Sequence, residues 1–216
     1  ARADLSFVEG EDYVNHGDGE VYRETNNDDD PNADYSDIAR LIRTINFGSG
    51  EEVYETLEHE LDVDSFLRYL AVNVVVGSWD DYWYGSNNYY LYFNADTQRF
   101  QWIPYDYDNS FGIDFFGVNW SERSFVGWGD GGFGSTPAPL AQAVFRHSEW
   151  RRQFRRYLYE GAELLRDPGL EVELDHWNAL IEPYFDGTIE DGGVVGRSPY
   201  LADGVTEPAE WEIGRA

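Results

Sequence analysis

Two acidic clusters and one amide stand out by residue type and position. Asp80 follows a strongly apolar stretch and Trp79, and Asn88 opens the aromatic run Tyr89 to Phe93. Asp106 and Asp108 follow a second aromatic run, Phe100 to Tyr105. Each sits at the end of a predicted regular element, where a rigid scaffold can hold charge around an ion. Their donor atoms are oxygens, which hard cations such as Mg²⁺ or Ca²⁺ prefer. Each residue also has an ordinary reading. An aspartate after a helix can bond backbone amides in a turn, and Asp81 is adjacent. Asn88 can be a turn residue, with Asn87 competing for the part. Asp106 and Asp108 are two apart, and on an extended segment that spacing predicts one shared side. Asp-x-Asp-x-Ser also suits a calcium-type turn, but Gly112 is one position late for an EF-hand loop and the Glu at position twelve is missing.

The elements that must carry these residues can be read from periodicity and breakers. Ser36-Asp37 predicts a cap for a helix with Ile38, Leu41, Ile42 and Ile45 on one face, ended by Asn46 to Gly50. A second helix is predicted over Glu51 to Glu60. A third runs from Asp64 to about Gly77, capped by Asp64 or Ser65, apolar almost all round and so central and buried. Asn73 is its polar exception. An unpaired buried amide costs roughly 1–3 kcal/mol, so Asn73 is expected to bond the acidic loop or the backbone. A hairpin follows, Tyr89 to Phe93 and Phe100 to Pro104, joined by 94–99. The stretch from Phe115 to Pro137 is rich in Gly and aromatics, shows no period, and is long for a connector. One long helical region is predicted from Ala138 to Leu165, and a further helix over Leu174 to Phe185. Residues 1–34 read as an acidic, loop-rich entry, with short strands at Phe7-Val8 and Val21-Tyr22 and a charged turn at Asn26 to Asp34. Residues 35–190 read as the core and 191–216 as a weakly patterned tail.

Composition narrows the function classes. The chain has 216 residues, 42% apolar and 17% aromatic, enough for one core rich in ring packing. Its formal charge is -27, and all 15 basic residues are Arg. Such a surface disfavours nucleic acid and anionic membranes and favours divalent cations or a basic protein partner. No apolar run approaches the roughly 20 residues of a membrane span. With no Cys there are neither disulfides nor thiolate metal sites. The four His are scattered without ligand spacing, which argues against zinc. With no Met in the chain, the expectation is a piece of a longer protein.

Five pieces together carry a family resemblance: Leu61-Asp62-Val63-Asp64-Ser65-Phe66-Leu67-Arg68-Tyr69; Ala71-Val72-Asn73; Trp79-Asp80; Asn88-Tyr89-Tyr90-Leu91-Tyr92; and Trp102-Ile103-Pro104-Tyr105-Asp106-Tyr107-Asp108 with Ser110-Phe111-Gly112. Over about Tyr35 to Leu165 the chain resembles the CotH family, the spore-coat-type atypical protein kinases. The resemblance implies an α+β, divergent protein-kinase-like fold, mainly its helical C-terminal lobe, with a β-hairpin carrying the metal site. It implies phosphate transfer from ATP to protein Ser/Thr hydroxyls. Asp80 would be the catalytic base. Asn88, Asp106 and Asp108 would hold Mg²⁺, with Ca²⁺ as the alternative ion. Asn73, Trp79 and Ser110 would support them. The spacing from Asp80 to Asn88 is longer than in the ordinary kinase signature, and the His-Arg pair before the aspartate is missing. Some relatives are surface proteins known for adhesion, so a non-catalytic surface or scaffold module binding a protein or glycan is the second expectation. Extracellular or cell-surface location follows from family habit and acidity. No glycine-rich phosphate loop is seen in the first 60 residues and the chain has no Lys; Arg23 and Arg43 are candidate substitutes by position in the chain alone.

Overall fold

The computed structural model describes residues 5–7, 36–120, 122–132 and 138–185. Expectations for Val8, for 21–34 including Arg23, for 133–137 and for the tail 191–216 lie outside the described residues. The chain divides into two compact units, Ala1–Tyr159 and Glu160–Ala216. Among the described residues it is mixed α/β, with six helices and one two-stranded sheet.

The first two helices follow their patterns. α1 spans Ser36–Phe47 and buries Ala39, Leu41, Ile42 and Ile45. It ends at Phe47, inside the predicted stop Asn46 to Gly50, and the Asn46 amide donates to Ile42 O (2.8 Å) and to Leu5 O (2.8 Å). α2 spans Glu51–Glu60, as predicted, and buries Val53 and Leu57. Glu60 is buried as well, in an ion pair with Arg40.

α3 spans Val63–Val76, one residue earlier than predicted at its start. Its cap is Asp62, not Asp64 or Ser65: the Asp62 carboxylate accepts from Ser65 N (3.1 Å). Asp64 instead faces Arg68, Gln153 and Tyr157. The helix stops at Gly77, whose φ of 68° is the left-handed conformation that glycine adopts without strain. Phe66, Leu67, Leu70 and Ala71 are buried, while Val72 is 46% exposed, so the helix is central but not buried all round.

β1 (Tyr89–Asn94) and β2 (Arg99–Pro104) pair antiparallel, with Tyr89 opposite Pro104 and Asn94 opposite Arg99. Phe100 and Trp102 point into the core, and Tyr89 stacks on Trp102 at 4.2 Å. Trp102 also meets Phe66 and Tyr69, locking the hairpin to α3. The hairpin is further tied by Asp62 N donating to Phe100 O (2.9 Å).

The predicted helix from Ala138 is two helices. α4 spans Pro139–Arg146 and α5 spans Ser148–Leu164, parted where His147 turns extended (φ -79°, ψ 124°). Trp150, Phe154 and Tyr157 of α5 join the core. In the second unit, α6 spans Pro168–Phe185 and starts six residues before the predicted Leu174. Between β2 and α4 the described residues are irregular, as the missing period implied. They are not loose, because Trp120 and Trp128 form a second buried cluster with Trp79 and Tyr84.

Candidate functional site

Asp80 stands on the loop that joins α3 to β1. The loop leaves α3 tightly, with Ser78 N donating to Asn73 O (2.8 Å). Trp79 is buried, donates Nε1 to Ile113 O (2.8 Å) and stacks on Trp120. The loop then closes on itself, because Asp81 O accepts from Gly85 N (2.9 Å) and Asn87 N (3.1 Å). Gly85 fits this closure closely, and a side chain there would push its neighbours by a few tenths of an ångström. A Cβ there would lie 3.0 Å from Asp80 Oδ1 and 3.1 Å from Asp81 O.

Three side-chain amides surround the half-buried Asp80 carboxylate. Asn87 Nδ2 donates to Oδ1 (3.2 Å). Asn88 Nδ2 (3.1 Å) and Asn109 Nδ2 (3.3 Å) donate to Oδ2. Asp80 and Asn88 are therefore brought together, and Asn109 carries the segment after β2 to the same carboxylate. Tyr105 N also donates to Asn88 O (3.2 Å), and Phe111 N to Val76 O (2.7 Å). Hydrogen bonds thus join both predicted acidic clusters.

Asp106 and Asp108 are exposed at the end of β2. Strand alternation does not set their side, because β2 stops at Pro104 and Asp106 has φ 54°. They are near each other for another reason: the left-handed turn brings Asp108 N to 3.5 Å from Asp106 Oδ1. Desolvation, then the Asp106 and Asp80 carboxylates, raise the Asp108 pKa from its ordinary value. Ser86, Asn88, Asp106 and Phe111 all have φ of 53–54°. Non-glycine residues held this way cost about 1–3 kcal/mol each and gather at functional sites.

Behind Asp80 lies a buried polar layer. Asp81 is 2% exposed and accepts from Asn73 Nδ2 (2.8 Å) and Tyr84 N (2.7 Å). Burial pushes its pKa up to about 7 against these hydrogen bonds. Tyr82 N donates to the Tyr69 hydroxyl (3.0 Å), and the Tyr82 hydroxyl accepts from Leu140 N (3.0 Å). Tyr82 thereby clamps the loop between α3 and α4. Ser110 is buried, and its Oγ has no hydrogen-bond partner among the described residues.

No group of three or more His, Asp or Glu side chains stands ready to hold a metal among the described residues. The donor chemistry still suits a hard cation. Asp106, Asp108 and the Asn88 amide offer only oxygen ligands, and a cation would relieve the repulsion that raises Asp108. Sequence reasoning missed Asn87 and Asn109 as partners of Asp80, and Asp81 as a buried acid. For Asn109 the signal was its place inside the acidic segment. For Asp81 it was the polar Asn73 eight residues upstream in an otherwise apolar helix.

Known proteins match this region. The chain is 33% identical to the inner spore coat protein H of Bacillus subtilis over 119 residues, 55% of this chain and 30% of that protein. It is 23% identical to Invasin CotH2 of Rhizopus delemar over 144 residues, 66% of this chain and 24% of that protein. It is also 23% identical to Invasin CotH3 of the same fungus over 109 residues, 50% of this chain and 18% of that protein. The matches thus span less than a third of each relative. The family described as CotH kinase protein matches residues 9–200, and the chain belongs to that family.

Proposed function

We propose that this chain is the catalytic part of an ATP- and Mg²⁺-dependent protein Ser/Thr kinase, with the helical lobe of a divergent kinase-like fold. The observation that carries the reading is the bonding of Asp80 by Asn88 and Asn109, which joins the loop after α3 to the acidic end of β2. Family membership supports it.

Asp80 is the base in this reading. It takes the proton of a substrate Ser or Thr hydroxyl as the hydroxyl oxygen bonds to the γ-phosphorus of ATP. The bond from that phosphorus to the β–γ bridging oxygen breaks, and ADP leaves with the electron pair. The amides of Asn87, Asn88 and Asn109 orient the Asp80 carboxylate. Asn88, Asp106 and Asp108 would hold Mg²⁺, which when bound neutralises phosphate oxygens. The acid surface favours a basic protein substrate. Relatives named as a spore coat protein and as invasins support a coat or surface location.

The test is phosphate transfer from γ-labelled ATP to a Ser-containing, Arg-rich peptide by the full-length protein. Asp80→Asn should cut turnover by about 10²–10⁴-fold, the worth of general-base help. Unchanged turnover would remove Asp80 from the chemistry.

A further inference from the structure

Asp81 has no part in the proposed phosphate transfer, yet it is the most deeply buried carboxylate beside the site. Its Oδ1 accepts from Tyr84 N and its Oδ2 from Asn73 Nδ2. Its backbone oxygen accepts from Gly85 N and Asn87 N, the bonds that close the loop carrying Asp80. The other titratable groups that act on it are Asp80 on its own loop, Tyr69 on α3 and Tyr107 on the segment after β2. None of these is a cation. The Asn73 Oδ1 is buried and has no donor among the described residues.

We propose that Asp81 is a positioning residue that, in its neutral form, anchors the Asp80 loop to α3 through Asn73 and releases it on ionising. The bearing of this anchor on catalysis rests on the reading of Asp80 as the base. Neutral Asp81 keeps both contacts without a buried charge. Its unprotonated Oδ1 still accepts from the Tyr84 amide. Its hydroxyl Oδ2 can still accept from Asn73 Nδ2, so the tie to α3 is kept. An ionised Asp81 leaves a buried charge that no cationic side chain among the described residues is seen to pair, a burial that is costly.

The direction with pH follows from linkage. Burial raises the Asp81 pKa in the closed loop to about 7, above its ordinary value in an opened one. The anchor is therefore complete below the ordinary carboxylate range and is lost as pH rises toward 7. One proton is involved, so the opening constant should rise about tenfold per pH unit between roughly pH 5 and 7, then level off.

The experiment is hydrogen exchange of residues 79–88 in the full-length protein from pH 5 to 9, corrected for intrinsic exchange. The same samples are assayed for transfer from Mg²⁺-ATP to a Ser-containing, Arg-rich peptide. Wild type should show the tenfold slope, and Asp81→Asn should be protected and flat with pH. Asn73→Ala should exchange faster at pH 5. The kcat ratio of wild type to Asp81→Asn should fall from pH 6 to 8 at unchanged KM for ATP. A flat wild-type profile overturns the proposal without recourse to any variant. A slope that persists in Asp81→Asn, or a constant kcat ratio, overturns it too. If wild type transfers no phosphate, or Asp80→Asn transfers as well as wild type, the kinase reading falls, and the exchange slope still decides whether Asp81 is the anchor.

Discussion

At the scale of single residues, the site is a carboxylate held by amides beside a pair of carboxylates that repel each other. The two halves should fail differently. Asp106→Ala should remove Mg²⁺-dependent nucleotide binding in the full-length protein, because a cation-held phosphate loses its ligand. Asn109→Ala removes one of three amides from Asp80. A hydrogen bond to a charged group is worth about 1.5–3 kcal/mol, so kcat should fall roughly 10- to 100-fold at unchanged affinity for Mg²⁺-ATP. Steady-state kinetics separates the two outcomes. Asn109→Ala raising KM for ATP at constant kcat would place Asn109 among the nucleotide contacts. Asp80, Asn88, Asp106 and Asp108 stood out in the sequence because they fall in the pieces that carry the family resemblance. Their joining through Asn109 was not legible, because Asp106 leaves the extended region and the turn re-aims the side chains after it.

At the scale of elements, α3 and the loop after it position Asp80, the proposed base. Phe66 is fully buried against Tyr82 and Trp102, so Phe66→Ala should cost about 3–5 kcal/mol in urea unfolding. Tyr82→Phe should cost about 1–3 kcal/mol, because the buried Leu140 N–H loses its acceptor. Gly85→Ala should leave global stability nearly unchanged but lower turnover, since the new methyl presses on Asp80 Oδ1. A Gly85→Ala protein with full kcat would show that the loop has room the structure does not give it. Helix α2 was legible to the residue because its apolar period and acidic first turn agree. The start of α3 was misplaced by one residue, because Asp62, Asp64 and Ser65 can all cap and only the fold selects Asp62. The break between α4 and α5 was hidden, since His147 carries no helix-breaking chemistry and both flanks keep a helical period.

At the scale of the whole molecule, charge dominates. A chain of net charge -27 with no Lys repels a polyanionic nucleotide. Residues 1–216 alone should therefore bind ATP weakly. Added Mg²⁺ should help more than the same ionic strength of NaCl, because a coordinated ion acts locally and monovalent salt only screens. Tight ATP binding by this chain without divalent metal would assign phosphate binding to one of its own Arg residues. Element order indicated an α+β layout, of which the structure bears out the mixed α/β class, and the aromatic core was foreseeable from 17% ring residues. The second cluster around Trp120 and Trp128 was not, because its members come from a stretch without period.

The central claim is that Asp80 does chemistry while the acidic end of β2 holds the cation for ATP. Titration calorimetry of ATP into the full-length protein, with and without Mg²⁺, tests it when run on wild type, Asp80→Asn and Asp106→Ala. The account predicts Mg²⁺-dependent binding in wild type, nearly the same binding in Asp80→Asn, and none in Asp106→Ala. Equal loss of binding in both variants, or Mg²⁺-independent binding in wild type, would contradict it.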